Sequence, residues 1–240
     1  MYRIIFTLLL SALLFPKWAT ASPPITATSW LVADDTGHTL QNKNSQELRS
    51  IASISKLMTV MVVLDANQDL DEFIKPYTRR ELIQLALVKS DNNAASLLCK
   101  HYPGGMYSCV QAMNAKARYN DMPNTKFIEP TGLSVFNVST AEELVKLVLL
   151  AKDYPEIISA SNMSQVKIKI KKQWLVFNNT NPIIGKRHEF IVSKTGYIRA
   201  SGGCIVMMLD TDVGRRIVVV LGSRNTRTRI PEAEFIAAKN

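Results

Sequence analysis

Residues 51–59 read Ile-Ala-Ser-Ile-Ser-Lys-Leu-Met-Thr, and the rest of the chain is best understood outward from this segment. From Ser53 onward, Leu57, Val60, Met61 and Leu64 recur at helical spacing as far as about Ala66. On such a helix Ser53 and Lys56 share a face, so hydroxyl and amine can meet, whereas the neighbouring Ser55 points elsewhere. Ser53 also opens the helix, where the positive end of the dipole favours a developing anion. Lys56 borders the apolar stripe, and burial there would lower its pKa towards neutrality. A neutral amine beside a hydroxyl can act as its general base. Taken alone the pattern is weak. A serine at a helix start is a common cap, and Ser164-Gln165-Val166-Lys167 matches by chance, since it leads into a strand where residues three apart face opposite ways.

On either side of this helix the hydrophobic period changes. Residues 29–34 and 39–42 form a hairpin pattern around Asp35-Thr36-Gly37. Helices are expected at 78–89, 93–100, 107–119 and 140–153, the last started by Ser139 with Glu142 three residues on. The second half turns to β-branched runs at 166–177, 190–195, 204–209 and 217–221, and a helix from about Glu232 closes the chain. Strands at both ends with helices between them predict an α+β fold, a mostly antiparallel sheet packed by a helical cluster.

The chain has 240 residues, 47% of them hydrophobic and 20% charged, enough for one substantial domain. Arg3, the apolar run 4–15 and Ala19-Thr20-Ala21 read as a signal peptide over residues 1–21, followed by a single mature domain at 22–240. Export to the periplasm follows, with no stable membrane anchor after cleavage, because the apolar run is too short to span a bilayer comfortably. Without Arg3 and Lys17 the 29 basic residues fall to 27 against 20 acidic, a net charge of +7. In an exported protein this excess points to the cell envelope rather than to nucleic acid. The one basic run, Lys167-Ile168-Lys169-Ile170-Lys171-Lys172, alternates like a half-exposed strand and is read as a solvated face. Cys99 and Cys109 flank a turn-rich link and are open to two readings, a disulfide or free thiols. Cys204 lies in a strand-like run as a small buried hydrophobe. A zinc site from Cys99, His101 and Cys109 lacks a fourth ligand.

Two further segments carry chemistry. In Ser90-Asp91-Asn92 a hydroxyl able to relay a proton sits two residues from an amide able to hold a peptide group. By itself the segment reads first as a helix terminus, and Ser223-Arg224-Asn225 repeats the spacing by chance. In Lys194-Thr195-Gly196 a cation and a hydroxyl can engage a carboxylate, and Gly196 leaves room for substrate backbone.

The ordered set Ser-x-x-Lys, Ser-x-Asn, Lys-Thr-Gly is a known signature of class A β-lactamases and penicillin-binding proteins. With residues 51–59, 129–133 (EPTGL), and 194–197 followed by Gly203-Cys204, the chain resembles the low-molecular-mass D-alanyl-D-alanine peptidases, especially their small periplasmic D,D-endopeptidase branch. The resemblance covers most of 29–221 and implies a serine β-lactamase/D,D-peptidase-like fold. It implies Ser53 as the acylated nucleophile, Lys56 as its base and Ser90 as the relay to the leaving amine. Asn92, Lys194, Thr195, Gly196 and Tyr197 would bind substrate, with the backbone N–H groups of Ser53 and Tyr197 as oxyanion hole. The implied partners are peptidoglycan stem peptides and cross-links, with β-lactams as inhibitors, and neither metal nor cofactor is called for. The sequence departs from the family in a short 57–89 link, in Ile198 where relatives commonly carry threonine, and in ending soon after its last strand.

Two other functions are weighed against this one. A β-lactamase would need a deacylating glutamate, and no Arg-x-x-Glu-x-x-Leu-Asn segment lies between Asn92 and Lys194. A catalytically weak peptidoglycan-binding or regulatory protein would keep the same site. A histidine-based triad through His38, His101 or His188 finds no Gly-x-Ser-x-Gly elbow.

Overall fold

The computed structural model describes residues 25–186 and 188–239; the expected signal segment lies outside them. The chain opens with β1 (Ser29–Asp34), β2 (Thr39–Lys43) and the short β3 (Arg49–Ser50). Asp34 turns the first hairpin by accepting hydrogen bonds from the Thr36 and His38 N–H groups, both at 2.9 Å. A 3-10 turn, Ala52–Ile54, then feeds α1 (Ser55–Asp65). The hairpin β4 (Phe73–Ile74) and β5 (Tyr77–Thr78) leads to α2 (Arg79–Gln84), a π-helical turn Leu85–Lys89, α3 (Asn92–Lys100) and α4 (Gly105–Tyr119). After β6 (Val138–Ser139) come α5 (Ala141–Ala151), α6 (Pro155–Asn162), and the hairpin β7 (Gln165–Ile170) and β8 (Gln173–Asn178). The chain finishes with β9 (Phe190–Ile198), β10 (Gly202–Thr211), β11 (Gly214–Ser223) and α7 (Arg229–Lys239).

The central sheet has the order β2-β1-β11-β10-β9 and is antiparallel throughout, so the first and last strands of the chain meet at its middle. The centres of β10 and β11, residues 204–209 and 217–221, are apolar at every position because both of their faces are covered. Val206, Met208, Val219 and Leu221 face the helices, while Ile205, Met207, Val218 and Val220 pack on Ile230, Ala233 and Ile236 of α7. This sandwich is the expected α+β architecture.

α1 differs from the amphipathic helix read from the sequence. Leu57, Met58, Val60, Met61, Val62 and Val63 are all buried, so it is a central helix covered on every side, and Leu64 is only partly covered. The 78–89 helix begins on a complete capping box between Thr78 and Glu81, but its last turn widens into a π-turn. The 140–153 helix is capped by Thr140 with Glu143, not by Ser139 with Glu142. Ser139 is tied up in β6, with its hydroxyl 2.7 Å from that of Thr125, and Glu142 reaches out to accept from Ser45. α6, unforeseen from the sequence, starts with Pro155, whose fixed φ suits a first helical turn.

Cys99 and Cys109 form a disulfide with Cα atoms 5.3 Å apart, joining the end of α3 to α4, and Cys204 is a buried free thiol. No described helix is long and apolar enough to cross a membrane.

Candidate active site

Three segments distant in sequence converge beside the start of α1. Ser53 lies in the 3-10 turn just before the helix and is half-buried, while Lys56 in the first helical turn is wholly buried. Lys56 Nζ is 2.8 Å from Ser53 Oγ, 2.8 Å from Asn92 Oδ1 and 2.6 Å from the Thr131 carbonyl. An ammonium donates one proton to each of these three acceptors. A neutral amine keeps two donors, for Thr131 and Asn92, and turns its lone pair to the Ser53 hydroxyl. The geometry therefore serves both protonation states without rearrangement. Burial lowers the Lys56 pKa to about 8, although Glu129 and Asp91 pull it back towards the charged form. Ser55 points away, donating to the Ala52 carbonyl at 2.9 Å.

The second segment enters through the π-turn. The Ser90 N–H closes that turn by donating to the Leu85 carbonyl, which also accepts from Asp91 N–H at 3.0 Å, and Ser90 is left in the left-handed region, at φ 60°. This conformation is uncommon outside glycine and asparagine and marks a held, specific geometry. Asp91 caps α3 by accepting from Ala94 N–H at 2.9 Å, so the helix-terminus reading holds for Asp91. Ser90 and Asn92 instead face the site. Asn92 Oδ1 is held by Lys56, and its Nδ2 has no protein acceptor among the described residues.

The third segment is β9, the edge strand of the sheet. Lys194 is buried and donates to Ser90 Oγ at 2.9 Å and to the Thr195 carbonyl at 2.9 Å. Burial, reinforced by the cations at Lys56 and Arg229, holds its pKa well below the usual lysine range. Thr195 Oγ1 is 2.6 Å from Thr180 Oγ1. Gly196 lies directly on the nucleophile's turn: a Cβ there would sit 2.9 Å from the Ile51 carbonyl oxygen and 3.1 Å from Ser53 N. Tyr197 beside it is exposed. Half-buried Ser53, Ser90 and Asn92 and exposed Tyr197 are thus the solvent-reached members of the site, and the Lys56 and Lys194 amines bonded to Ser53 and Ser90 are buried.

Several supporting residues carried no role in the sequence reading. The carboxylate of Glu129 accepts from the N–H groups of Thr131 at 2.6 Å, Gly132 at 2.7 Å and Ser134 at 3.2 Å, shaping the loop that offers the Thr131 carbonyl to Lys56. Asn137 accepts from Ile128 N–H at 2.8 Å and donates to Ser55 Oγ at 3.0 Å, tying that loop to α1. Gly132, at φ 79°, packs so closely that a Cβ would stand 1.9 Å from the Ala52 carbonyl oxygen. Arg229 of α7 reaches through to donate to the Gly196 carbonyl at 2.7 Å. The 129–133 segment was visible as a match, but nothing local announced what it holds.

A description of the D-alanyl-D-alanine carboxypeptidase family matches residues 17–76 and 71–225. The chain belongs to that family. As a member it is a serine-type D,D-peptidase, a hydrolase. It is 40% identical to the D-alanyl-D-alanine endopeptidase of Escherichia coli K12 over 213 residues, covering 78% of this chain and 69% of the relative. Against the D-alanyl-D-alanine endopeptidase of Pseudomonas aeruginosa it is 35% identical, covering 89% and 80%. Among solved structures, penicillin-binding protein D2 of Listeria monocytogenes in its ampicillin-bound form superposes with a TM-score of 0.79 at 25% identity, covering 89% of this chain and 96% of that one. The Streptomyces K15 DD-transpeptidase shares the fold, with a TM-score of 0.82 at 24% identity over 90% and 97% of the two chains.

Proposed function

We propose that this family member is a periplasmic D,D-endopeptidase that hydrolyses D-Ala-containing cross-links of peptidoglycan through an acyl-Ser53 intermediate, and that β-lactams trap the same serine. The observation that carries the reading is the wholly buried Lys56 amine 2.8 Å from Ser53 Oγ. Neutral Lys56 takes the Ser53 proton as Oγ attacks the D-Ala carbonyl carbon. The N–H groups of Ser53 and Tyr197 stabilise the oxyanion. Ser90, bonded to Lys194, relays to the departing amine the proton that Lys56 took, so the amine leaves as the C–N bond breaks and Lys56 is neutral again. Water, giving up a proton to Lys56, then attacks the acyl carbon, and that proton returns to Ser53 Oγ as the acyl group is released. Asn92 Nδ2 holds a substrate amide, and Thr195 with Lys194 receives a carboxylate. The endopeptidase preference follows the names of the relatives from E. coli and P. aeruginosa. Residues 1–21 act as the export signal, leaving the single domain 22–240.

Intact-mass spectrometry with a penicillin tests the assignment. Wild type should gain one adduct and Ser53→Ala none; an adduct that persists in the variant, or maps to another serine, refutes it. Slow release of the adduct and cleavage of cross-linked muropeptides separate this function from that of a β-lactamase or a passive wall-binding protein.

A further inference from the structure

The β7–β8 hairpin has no part in the chemistry above, yet its surface is unusual. Its inner face packs Val166 and Ile168 into the core. On the outer face Lys167 pairs across the strands with Val176, and Lys169 with Trp174. Trp174 is 65% exposed and Val176 50%, with Lys169 Nζ 5.9 Å from the Trp174 ring centroid. Lys171 and Lys172 form the exposed tip. Lysines on a two-stranded ribbon are explained by protection of its edges; a tryptophan left in water beside them is not. No acidic residue occurs between Glu156 and Glu189, and none of these lysines has an acidic partner among the described residues, so the positive field is uncompensated.

The hairpin is also fastened to the active site. Phe177 lies 4.7 Å beneath Lys89 Nζ in the π-turn, and Thr180 N–H donates to the Val88 carbonyl at 3.1 Å. Thr180 then meets Thr195. Trp174 is therefore at most about 22 Å along the chain from a residue touching the Lys-Thr-Gly strand.

We propose that this outer face is an accessory surface for the polymeric substrate: Trp174 and Val176 lie against sugar rings, and Lys167, Lys169, Lys171 and Lys172 pair with free stem-peptide carboxylates. Only the polymer's identity rests on the D,D-peptidase reading. An anionic membrane is disfavoured because the tip itself, Lys171-Lys172, is charged and offers no apolar side chain to insert, Trp174 lying behind it as the second residue of β8.

The test uses Trp174→Ala and Lys169→Glu/Lys171→Glu in the mature chain. Co-sedimentation with intact peptidoglycan sacculi, in a Ser53→Ala background, reads binding without turnover. With Ser53 intact, cleavage of sacculi is compared with cleavage of a soluble muropeptide dimer and with penicillin acylation. Each hairpin variant should lose roughly tenfold in sacculus binding and cleavage, stay within about twofold on the soluble dimer, and acylate at the wild-type rate. Wild-type sacculus binding should weaken with added salt. Unchanged sacculus binding, an equal loss on the soluble dimer, or a loss confined to phosphatidylglycerol vesicles overturns the proposal. If wild type binds sacculi through this face but cleaves neither substrate, the surface stands and the endopeptidase reading falls.

Discussion

Acylation of Ser53 should accelerate about tenfold between pH 7 and pH 9, with a midpoint near the Lys56 pKa of about 8. At pH 7 roughly one-tenth of such an amine is neutral, and at pH 9 roughly nine-tenths. Only the neutral form has a lone pair to receive the Ser53 proton, so the second-order rate of penicillin acylation, which reports the free enzyme, tracks that fraction. The same proton affects stability. The folded-state pKa lies below the ordinary 10.5, so between about 8 and 10.5 the unfolded chain binds more protons and stability rises with pH. Below pH 8 the buried amine costs the folded state about 3 kcal/mol. Lys56→Met removes this titration along with the base. Its stability should therefore change less with pH, and wild type should gain about 1 kcal/mol on the variant between pH 7 and pH 9. Removing the cation at 56 also relieves Lys194, whose pKa it helps depress, which works in the same direction. Stopped-flow acylation with a chromogenic β-lactam and denaturant unfolding at both pH values measure the two effects. A rate that is flat or falls from pH 7 to 9, or stability curves that run parallel, would refute a buried lysine base.

Two further outcomes follow from the packing. Gly132→Ala should destabilise the fold by about 3 kcal/mol or more and slow acylation at least tenfold, because its Cβ meets the Ala52 backbone at 1.9–2.2 Å and φ is 79°, a site where neither neighbour is a flexible side chain; thermal melting and penicillin labelling read both effects. Cys99→Ser/Cys109→Ser opens a short loop, with a sequence separation of 10, and should cost about 2–3 kcal/mol. Melting should fall by about 5–10 °C with acylation at 25 °C little changed; an unaltered melting temperature would contradict it.

The elements most legible in the sequence were those with a strong local period. β1 and β2 declared themselves by the Asp35-Thr36-Gly37 turn between them, the paired runs of β10 and β11 by their β-branched residues, and the alternation at 166–170 matched a strand with one buried face. Where a competing local interaction decided, the sequence misled: Thr140 outcompeted Ser139 as a cap because the latter's hydroxyl was already bound to Thr125. The turn at Leu85–Lys89 reads as ordinary helix in one dimension, since α- and π-turns differ by a single carbonyl.

From its residues alone this chain determined its reactive groups and their order, because Ser53 and Lys56 lie one helical turn apart and need only a helix to meet. Their company was decided in three dimensions. The Thr131 carbonyl that holds Lys56 lies 75 residues away, Lys194 grips Ser90 across 104, and Arg229 braces Gly196 from the far side of the sheet. Periodicity tells which face of an element is buried, but not what covers it. A lysine's loss of charge depends on that cover, so the chemistry of Lys56 was set by packing rather than by its neighbours in the chain.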